Sequence, residues 1–437
     1  MAYSGLPDLT RHDGVWPERH SGRTLATWAG LILPLILVCI YLHLPVFAYT
    51  MDKSLLPRFF YVGFIVLLLP VLLTRMNAFL AYLTSPFVLW AGALLVLNLL
   101  HLVSNDDSIN ARSGALVSFR MQAVAMVVLL GFAFGQMRSC GWERGFVLLA
   151  VLLPALTVTD FLYPGLLYPA DTPGAVQGRA AGTLINPTIA GEAILLAFLM
   201  ACPLVARRYR TPLILLAGIG VLLTFTRAAM LSWIVIWVYL LVRRRLPAFS
   251  AVAALAIVSL PLLMGGLESY INTRGDFTDA LDNIRHRLLF FSEARLDDDS
   301  AREREAVLRA GWEAFANNPL TGAGAGVTDG GASRLWTHTA STHNPLSALA
   351  AEYGIAGNFM WLWLLAILVR GRYFEDCVMQ GAVILLFCLM TFFTHNMFDF
   401  PYWLLSFALL ARHDSASCAV MPGGRIGERR RFAFYRG

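Results

Sequence analysis

Charge is what this sequence has least of. Only 14% of its 437 residues are charged, against roughly a quarter in an ordinary soluble domain. Lysine is almost missing: Lys53 is the only one, and the other basic residues are arginines. That scarcity excludes a conventional water-soluble enzyme. The net charge of +6 does not point to nucleic acid, because the basic residues stand in short clusters between apolar runs. Cysteine is sparse too. The six, at positions 39, 140, 202, 377, 388 and 418, fall in expected spans, cytoplasmic turns or the C-terminal tail. No disulfide framework is expected, and no metal-type spacing is present. No internal repeat is visible.

What the chain has is apolar length. Hydrophobic residues make up 57% of it, in runs near the roughly 20 residues needed to cross a bilayer as a helix. Lipid admits only helices or closed barrels, and these runs are continuous rather than alternating, so helices are expected. The fold class is therefore an all-α polytopic membrane protein. Twelve spans are predicted, near 27–49, 58–74, 78–103, 117–136, 144–163, 185–206, 211–225, 228–242, 247–267, 345–369, 379–395 and 398–411. The first run is longer than a signal-peptide core and lacks a cleavage pattern, which predicts a retained anchor.

Charge orients the bundle. With both termini cytoplasmic, the inner segments carry 20 arginines and the short outer segments six basic residues, the asymmetry that sets topology. The organisation that follows is a cytoplasmic tail (1–26), nine spans (27–267), one large external loop (268–344), three further spans (345–411) and a basic cytoplasmic tail (412–437). That last tail suits an anionic inner membrane surface. Within the loop, "SAREREAVLRAGWEAFANNP" reads as a helix. Ser300 and Glu303 form a capping box, and Val307, Leu308, Trp312 and Phe315 form one apolar stripe. Gly322, Gly324 and Gly326 follow as a turn.

Several residues could carry chemistry. The segment Arg207–Arg245 has Arg227 near its middle. As one helix it would extend nearly 60 Å, about twice the hydrocarbon thickness, so a hairpin with Arg227 at its outer apex is predicted. Arg227 then either snorkels at the interface or meets an anionic partner in a wet cavity; the near absence of loop favours the second. Arg179 lies in "GRAAGTLINPTIAGE" between Gly178 and Gly182, and Asn186 with Pro187 suits a helix start. Glu192 is an intramembrane carboxylate that could pair with one of the arginines, with Asp160 and Asp399 as weaker equivalents. Asp297, Asp298 and Asp299 precede Ser300, where negative charge favours the helix dipole; that is preferred over a metal site. His343 stands where the loop meets a span, suited to take a proton near neutral pH. Positions 343, 347, 350, 354 and 357 share a helical face of His, Ser, Ala, Gly and Gly, which would let another helix or a lipid tail approach closely. His343 there is either a base or a cap on a tightly packed helix. His338 and His395 are rival bases, and Asn344 is a neighbouring candidate.

The stretch "HNPLSALAAEYGIAG" fits the pattern His-Asn, nine residues, Gly-x-x-Gly. It resembles the signature of bacterial O-antigen ligases and the related O-antigen polymerases. "RAAGTLINP" is similar to that family's Arg-x-x-Gly-Thr-x-x-Asn-Pro segment. "TFTRAAM" resembles its arginine-bearing helix junction, and "REAVLRAGWEAFANNPLTGAGAG" its loop helix. The four occur in that family's order, and with the twelve spans and the single large external loop the resemblance covers nearly the whole chain. The resemblance implies a GT-C type membrane glycosyltransferase that needs no metal or other cofactor. Its partners would be undecaprenyl-diphosphate-linked O-antigen, the lipid A–core oligosaccharide and membrane lipids. It would act on the periplasmic side of a Gram-negative inner membrane. In that frame His343, Arg227 and Arg304 are the catalytic residues, and Arg179, Arg227 and Arg304 bind the diphosphate. His338, Asn344, Glu192 and Asn186 are secondary. Where many relatives carry Trp after the loop arginine, this chain has Leu308, with Trp312 a turn later; that leaves Arg309 and Arg302 as alternatives to Arg304. An O-antigen polymerase shares the donor chemistry. A protein O-oligosaccharyltransferase is disfavoured by the missing extra C-terminal domain. A lipid-glycan flippase is the reading from another class, although no paired inverted halves are visible.

Overall fold

The structure, a computed structural model, describes residues 18–103, 111–169, 171–176, 178–250, 299–328, 342, 344–394 and 397–412. Among the described residues the chain is helical, with no strand. The helices are α1 (Glu18–Tyr41), α2 (Leu44–Met51), α3 (Pro57–Thr74), α4 (Met76–Tyr82), α5 (Pro86–Val103), α6 (Ala111–Gln136), α7 (Arg144–Leu162), α8 (Pro187–Ala201), α9 (Arg207–Leu223), α10 (Arg227–Val242), α11 (Asp299–Asn317), α12 (Pro345–Tyr353), α13 (Ile355–Arg370), α14 (Cys377–Met390) and α15 (Pro401–Leu410).

By length and composition this is a membrane protein. Five stretches are long and apolar enough to cross a membrane: Thr24–Tyr41, Pro57–Thr74, Gly114–Gln136, Arg144–Leu162 and Pro187–Leu204. A sixth arises if α4 and α5, bent by 69°, count together. Helices α10, α13, α14 and α15 are apolar but shorter. Of the twelve expected spans, five or six meet that length among the described residues, others fall at the shorter apolar helices α10, α13, α14 and α15, and 247–267 lies mostly outside the described residues. Three expected single spans are broken, each for a local reason. Pro45 follows His43, which sits in the left-handed region at φ 55°, and a proline ring here would strike the carbonyl one turn back in a continuous helix. Pro86 drives Ser85 out of helical geometry between α4 and α5. Gly354 separates α12 from α13, described below.

Helix α8 is the core element. Every residue from Ala190 to Ala201 is buried, so it is apolar all round, as a helix enclosed by others must be. Between helices in lipid, close packing rather than water exclusion holds the bundle, which favours small residues at contacts. Gly191 of α8 lies so near α10 that a Cβ there would stand 2.5 Å from the Ala229 Cβ. Gly218 of α9 leaves room for the Trp233 ring, whose Nε1 donates to the Ile214 carbonyl at 2.9 Å. Ile355, Phe359 and Leu362 of α13 are exposed on one stripe, the apolar surface a bilayer would cover.

The bundle has two polar ends. At one, Arg245 at the end of α10 pairs with Asp376 before α14 at 2.7 Å. Arg138 pairs with Glu143 at 2.9 Å, and Tyr373 donates to Glu143 at 2.8 Å. Since the end of α10 meets the start of α14, the two run antiparallel. Arg227, at the start of α10, therefore belongs to the opposite end, where the residues of interest collect.

Candidate active site at one end of the bundle

The segment from Arg207 to Arg245 is a hairpin. Helix α9 ends at Leu223, Phe225 turns through φ 47°, and α10 begins at Arg227. A cation in the first turn of a helix faces the positive end of the macrodipole, so Arg227 is not placed there to stabilise α10. Arg179 reaches the same turn. Its Nε donates to the Thr224 carbonyl at 2.8 Å and its Nη2 to the Thr226 hydroxyl at 2.6 Å. The Ala180 amide donates to the Leu223 carbonyl at 3.1 Å. Two arginines from segments far apart in sequence thus share one three-residue turn. Both are only partly buried, and arginine is the side chain best suited to phosphate.

The loop carrying Arg179 is anchored by Asp160, near the end of α7. One oxygen of its carboxylate accepts from the Ala181 amide at 2.8 Å, the Gly182 amide at 3.0 Å and the Tyr168 hydroxyl at 2.8 Å. Burial, reinforced by the adjacent Asp160 carboxylate, raises the Tyr168 phenol above its ordinary value. Asn186 caps α8, its side chain accepting from the Thr188 amide at 2.9 Å ahead of Pro187. Its role in the structure is to start that helix. Glu192 is fully buried and is met by Trp403 Nε1 at 3.0 Å, by Tyr402 Oη at 3.4 Å, and by Thr394. Aromatic donors from α15 take the place of the arginine that the sequence suggested.

The second part of the site is α12. Asn344 caps it, its side chain accepting from the Leu346 and Ser347 amides at 2.8 and 3.2 Å, with Pro345 next. Of the expected small-residue face, Ser347 and Ala350 lie on α12, and the chain itself buries them. Helix α11 lies across α12 with Gly311 directly over Ser347; a Cβ on Gly311 would collide with the Ser347 hydroxyl. At the far end the Ala323 amide donates to the Ala351 carbonyl at 2.7 Å, and the Ile355 amide to the Pro319 carbonyl at 2.8 Å. Gly354 sits at φ 65°, ψ −145°, a conformation that only glycine adopts readily. A Cβ there would also lie 2.6 Å from the Pro319 carbonyl oxygen. Gly354 therefore breaks the expected 345–369 helix, and Gly357 lets α13 begin against the Leu349 carbonyl.

Arg304 lies within α11, which brings its helix onto α12. Of its alternatives, Arg309 is exposed and paired with Glu313 at 3.1 Å one turn on, and Arg302 is also in α11. Asp299 is the first residue of that helix. His343, His338 and His395, with Asp297 and Asp298, lie outside the described residues.

One group was missed by sequence reasoning. Arg120 of α6 is buried and ion-paired to Asp399 through its Nε. Its Nη1 donates to Glu352 of α12 at 2.7 Å and to the Tyr353 hydroxyl at 2.6 Å. The Tyr353 hydroxyl donates in turn to Asn98 of α5 at 2.9 Å. Arg120 falls inside the span expected at 117–136, and a charge within an apolar run is itself a signal. Asp399 and the first turn of α15 also bridge the two parts of the site. Asp399 binds Arg120, and three and four residues on, Tyr402 and Trp403 bind Glu192 beside the α8–α10 contact.

A family model described as O-antigen ligase matches residues 212–362. That stretch takes in the α9–α10 hairpin with Arg227, α11 with Arg304, and the His343 segment through Gly357. No curated protein matches.

Proposed function

We propose, on the match of residues 212–362 to a family model described as O-antigen ligase, that the protein transfers glycan from undecaprenyl diphosphate to the lipid A–core oligosaccharide in lipopolysaccharide biosynthesis. The observation that carries this is that Arg179 binds Thr224 and Thr226 of the turn from which Arg227 starts α10. A diphosphate leaving group bears two or more negative charges, and the arginine fork gives planar, permanently charged contacts to phosphate. Two such groups stabilise charge as the bond to the diphosphate breaks, the work a metal ion does in other transferases.

In this proposal the acceptor sugar hydroxyl attacks the anomeric carbon of the donor. The new glycosidic bond forms as the bond to the diphosphate oxygen breaks, and undecaprenyl diphosphate leaves with that electron pair. His343, next to the Asn344 cap, takes the hydroxyl proton. Direct attack inverts the anomeric configuration. Arg304 on α11 adds a third cation from the loop side. The fold is of the GT-C type, the termini are cytoplasmic, segment 268–344 is periplasmic, and the membrane is the Gram-negative inner membrane.

The test uses purified full-length protein with undecaprenyl-diphosphate glycan, in EDTA, with or without lipid A–core. Glycan on lipid A–core is the expected product, lost in His343→Ala and Arg227→Ala. Longer chains on the carrier without need of lipid A–core would make the protein a polymerase. No new bond with either acceptor would favour a lipid-glycan carrier. Wild-type transfer by both variants would refute the mechanism.

A further inference from the structure

Helix α12 is short and is held at both ends. Asn344, the neighbour of His343, caps one end, and Glu352 stands at the other. Eight residues apart, the two lie roughly 12 Å from each other along one rigid element. Whatever fixes Glu352 therefore fixes the helix that Asn344 caps.

Glu352 is bound on three sides. Its carbonyl accepts from the Gly324 amide at 3.2 Å. Its Oε1 accepts from the Thr328 hydroxyl at 3.1 Å, and its Oε2 from Arg120 Nη1 at 2.7 Å. Arg120 is shared with Asp399 and the Tyr353 hydroxyl. The node thus joins α6, the turn before α15, the end of α12 and the segment that returns from α11. Two carboxylates face one guanidinium, all of them buried. Apolar residues of similar volume would hold helices together at less desolvation cost. What the charged fork adds is direction, since a guanidinium fixes its partners in one plane at set angles. Thr328 and Asn344 stand on either side of residues 329–343, and Glu352 holds the first directly and the second through α12.

We infer that Glu352, locked by Arg120 and Asp399, is a positioning residue that fixes α12 and its Asn344 cap, the chain neighbour of His343. This rests on the role given to His343 in the proposed function. Glu352 touches neither substrate nor the reacting atoms in this account. Its loss therefore slows the chemical step and leaves the diphosphate grip alone.

The experiment compares wild-type, Glu352→Gln, Asp399→Asn and Thr328→Val proteins in nanodiscs, using undecaprenyl-diphosphate glycan and lipid A–core. Misplacing a catalytic group by about 1 Å can cost on the order of 100-fold. Glu352→Gln should lower kcat at least tenfold while the donor KM stays within about twofold and Tm is maintained. Asp399→Asn should act in the same direction. Thr328→Val removes one tie only and should show a smaller loss with the same split; it decides the matter if Glu352→Gln does not fold. A merely structural role would lower Tm and the amount of active enzyme without changing kcat per active site. Wild-type kcat in folded Glu352→Gln, or in Thr328→Val where Glu352→Gln fails to fold, would overturn the inference. So would a rise in donor KM that accounts for the whole loss. His343→Ala separates the two levels. If it is inactive and Glu352→Gln is normal, only the positioning role fails; if His343→Ala is fully active, the proposed base fails with it.

Discussion

Asp160→Ala should disable Arg179 without touching it. The wild-type carboxylate oxygen receives the Ala181 and Gly182 amides and the Tyr168 hydroxyl, all within 3.0 Å. A hydrogen bond to a charged group contributes about 1.5–3 kcal/mol, and a buried donor left unsatisfied costs about 1–3 kcal/mol. Three donors on one oxygen do not add fully, so a local loss of roughly 3–6 kcal/mol is expected. The Ala180–Leu223 hydrogen bond, the two bonds of Arg179 and the buried side chains of Ala181 and Leu184 also hold the loop. Without the carboxylate the loop loosens locally while the bundle stays folded. Hydrogen exchange should show faster exchange at 180–183 with little change along α8. Transfer activity should fall towards that of Arg179→Ala. Asp160→Asn keeps an accepting oxygen and should fall between. Normal protection and normal transfer in Asp160→Ala, alongside an inactive Arg179→Ala, would show that Asp160 does not hold the arginine.

Other outcomes follow from single contacts. Gly354→Ala places a Cβ at φ 65° and 2.6 Å from the Pro319 carbonyl oxygen; strain of about 1–3 kcal/mol plus the clash should lower Tm by several degrees and abolish transfer, read by thermal unfolding in detergent and product assay. Gly311→Val should push α11 off Ser347 and reduce transfer more than stability, because α11 packs on α12 and not on the α8 core; proteolysis within 299–317 should quicken. The Tyr168 phenol is raised by burial and by Asp160. A raised value means the folded state holds the proton more tightly, so that contribution is complete below the unfolded value of about 10 and is lost as pH rises above it. Tm should therefore decline above about pH 10, and less steeply in Tyr168→Phe, as a thermal series across that range would record.

Much of the architecture is legible in the chain because its causes are local. Apolar runs mark helices in lipid, and Asn186-Pro187 and Asn344-Pro345 mark two starts that the structure places at those residues. The length of 207–245 forces a hairpin, and the break falls at 224–226, next to Arg227. The loop helix begins at Asp299, beside its capping pattern. What covers each surface is not local. The small-residue face of α12 announces a close neighbour, but a lipid tail, a foreign helix and the chain's own α11 all suit small residues equally. Glu192 announces a need for partners, and any donor would answer it. Arg120 finds Glu352 and Asp399 from 232 and 279 residues away, and nothing in a single sequence links positions so distant. Periodicity and caps act within a turn or two, so the sequence alone determined the helices and the arginine at the hairpin turn. A buried charge takes whichever partner the assembled bundle brings within about 3 Å, so only the tertiary structure decided that Arg179 binds the turn ahead of Arg227 and that Glu352 is held by Arg120.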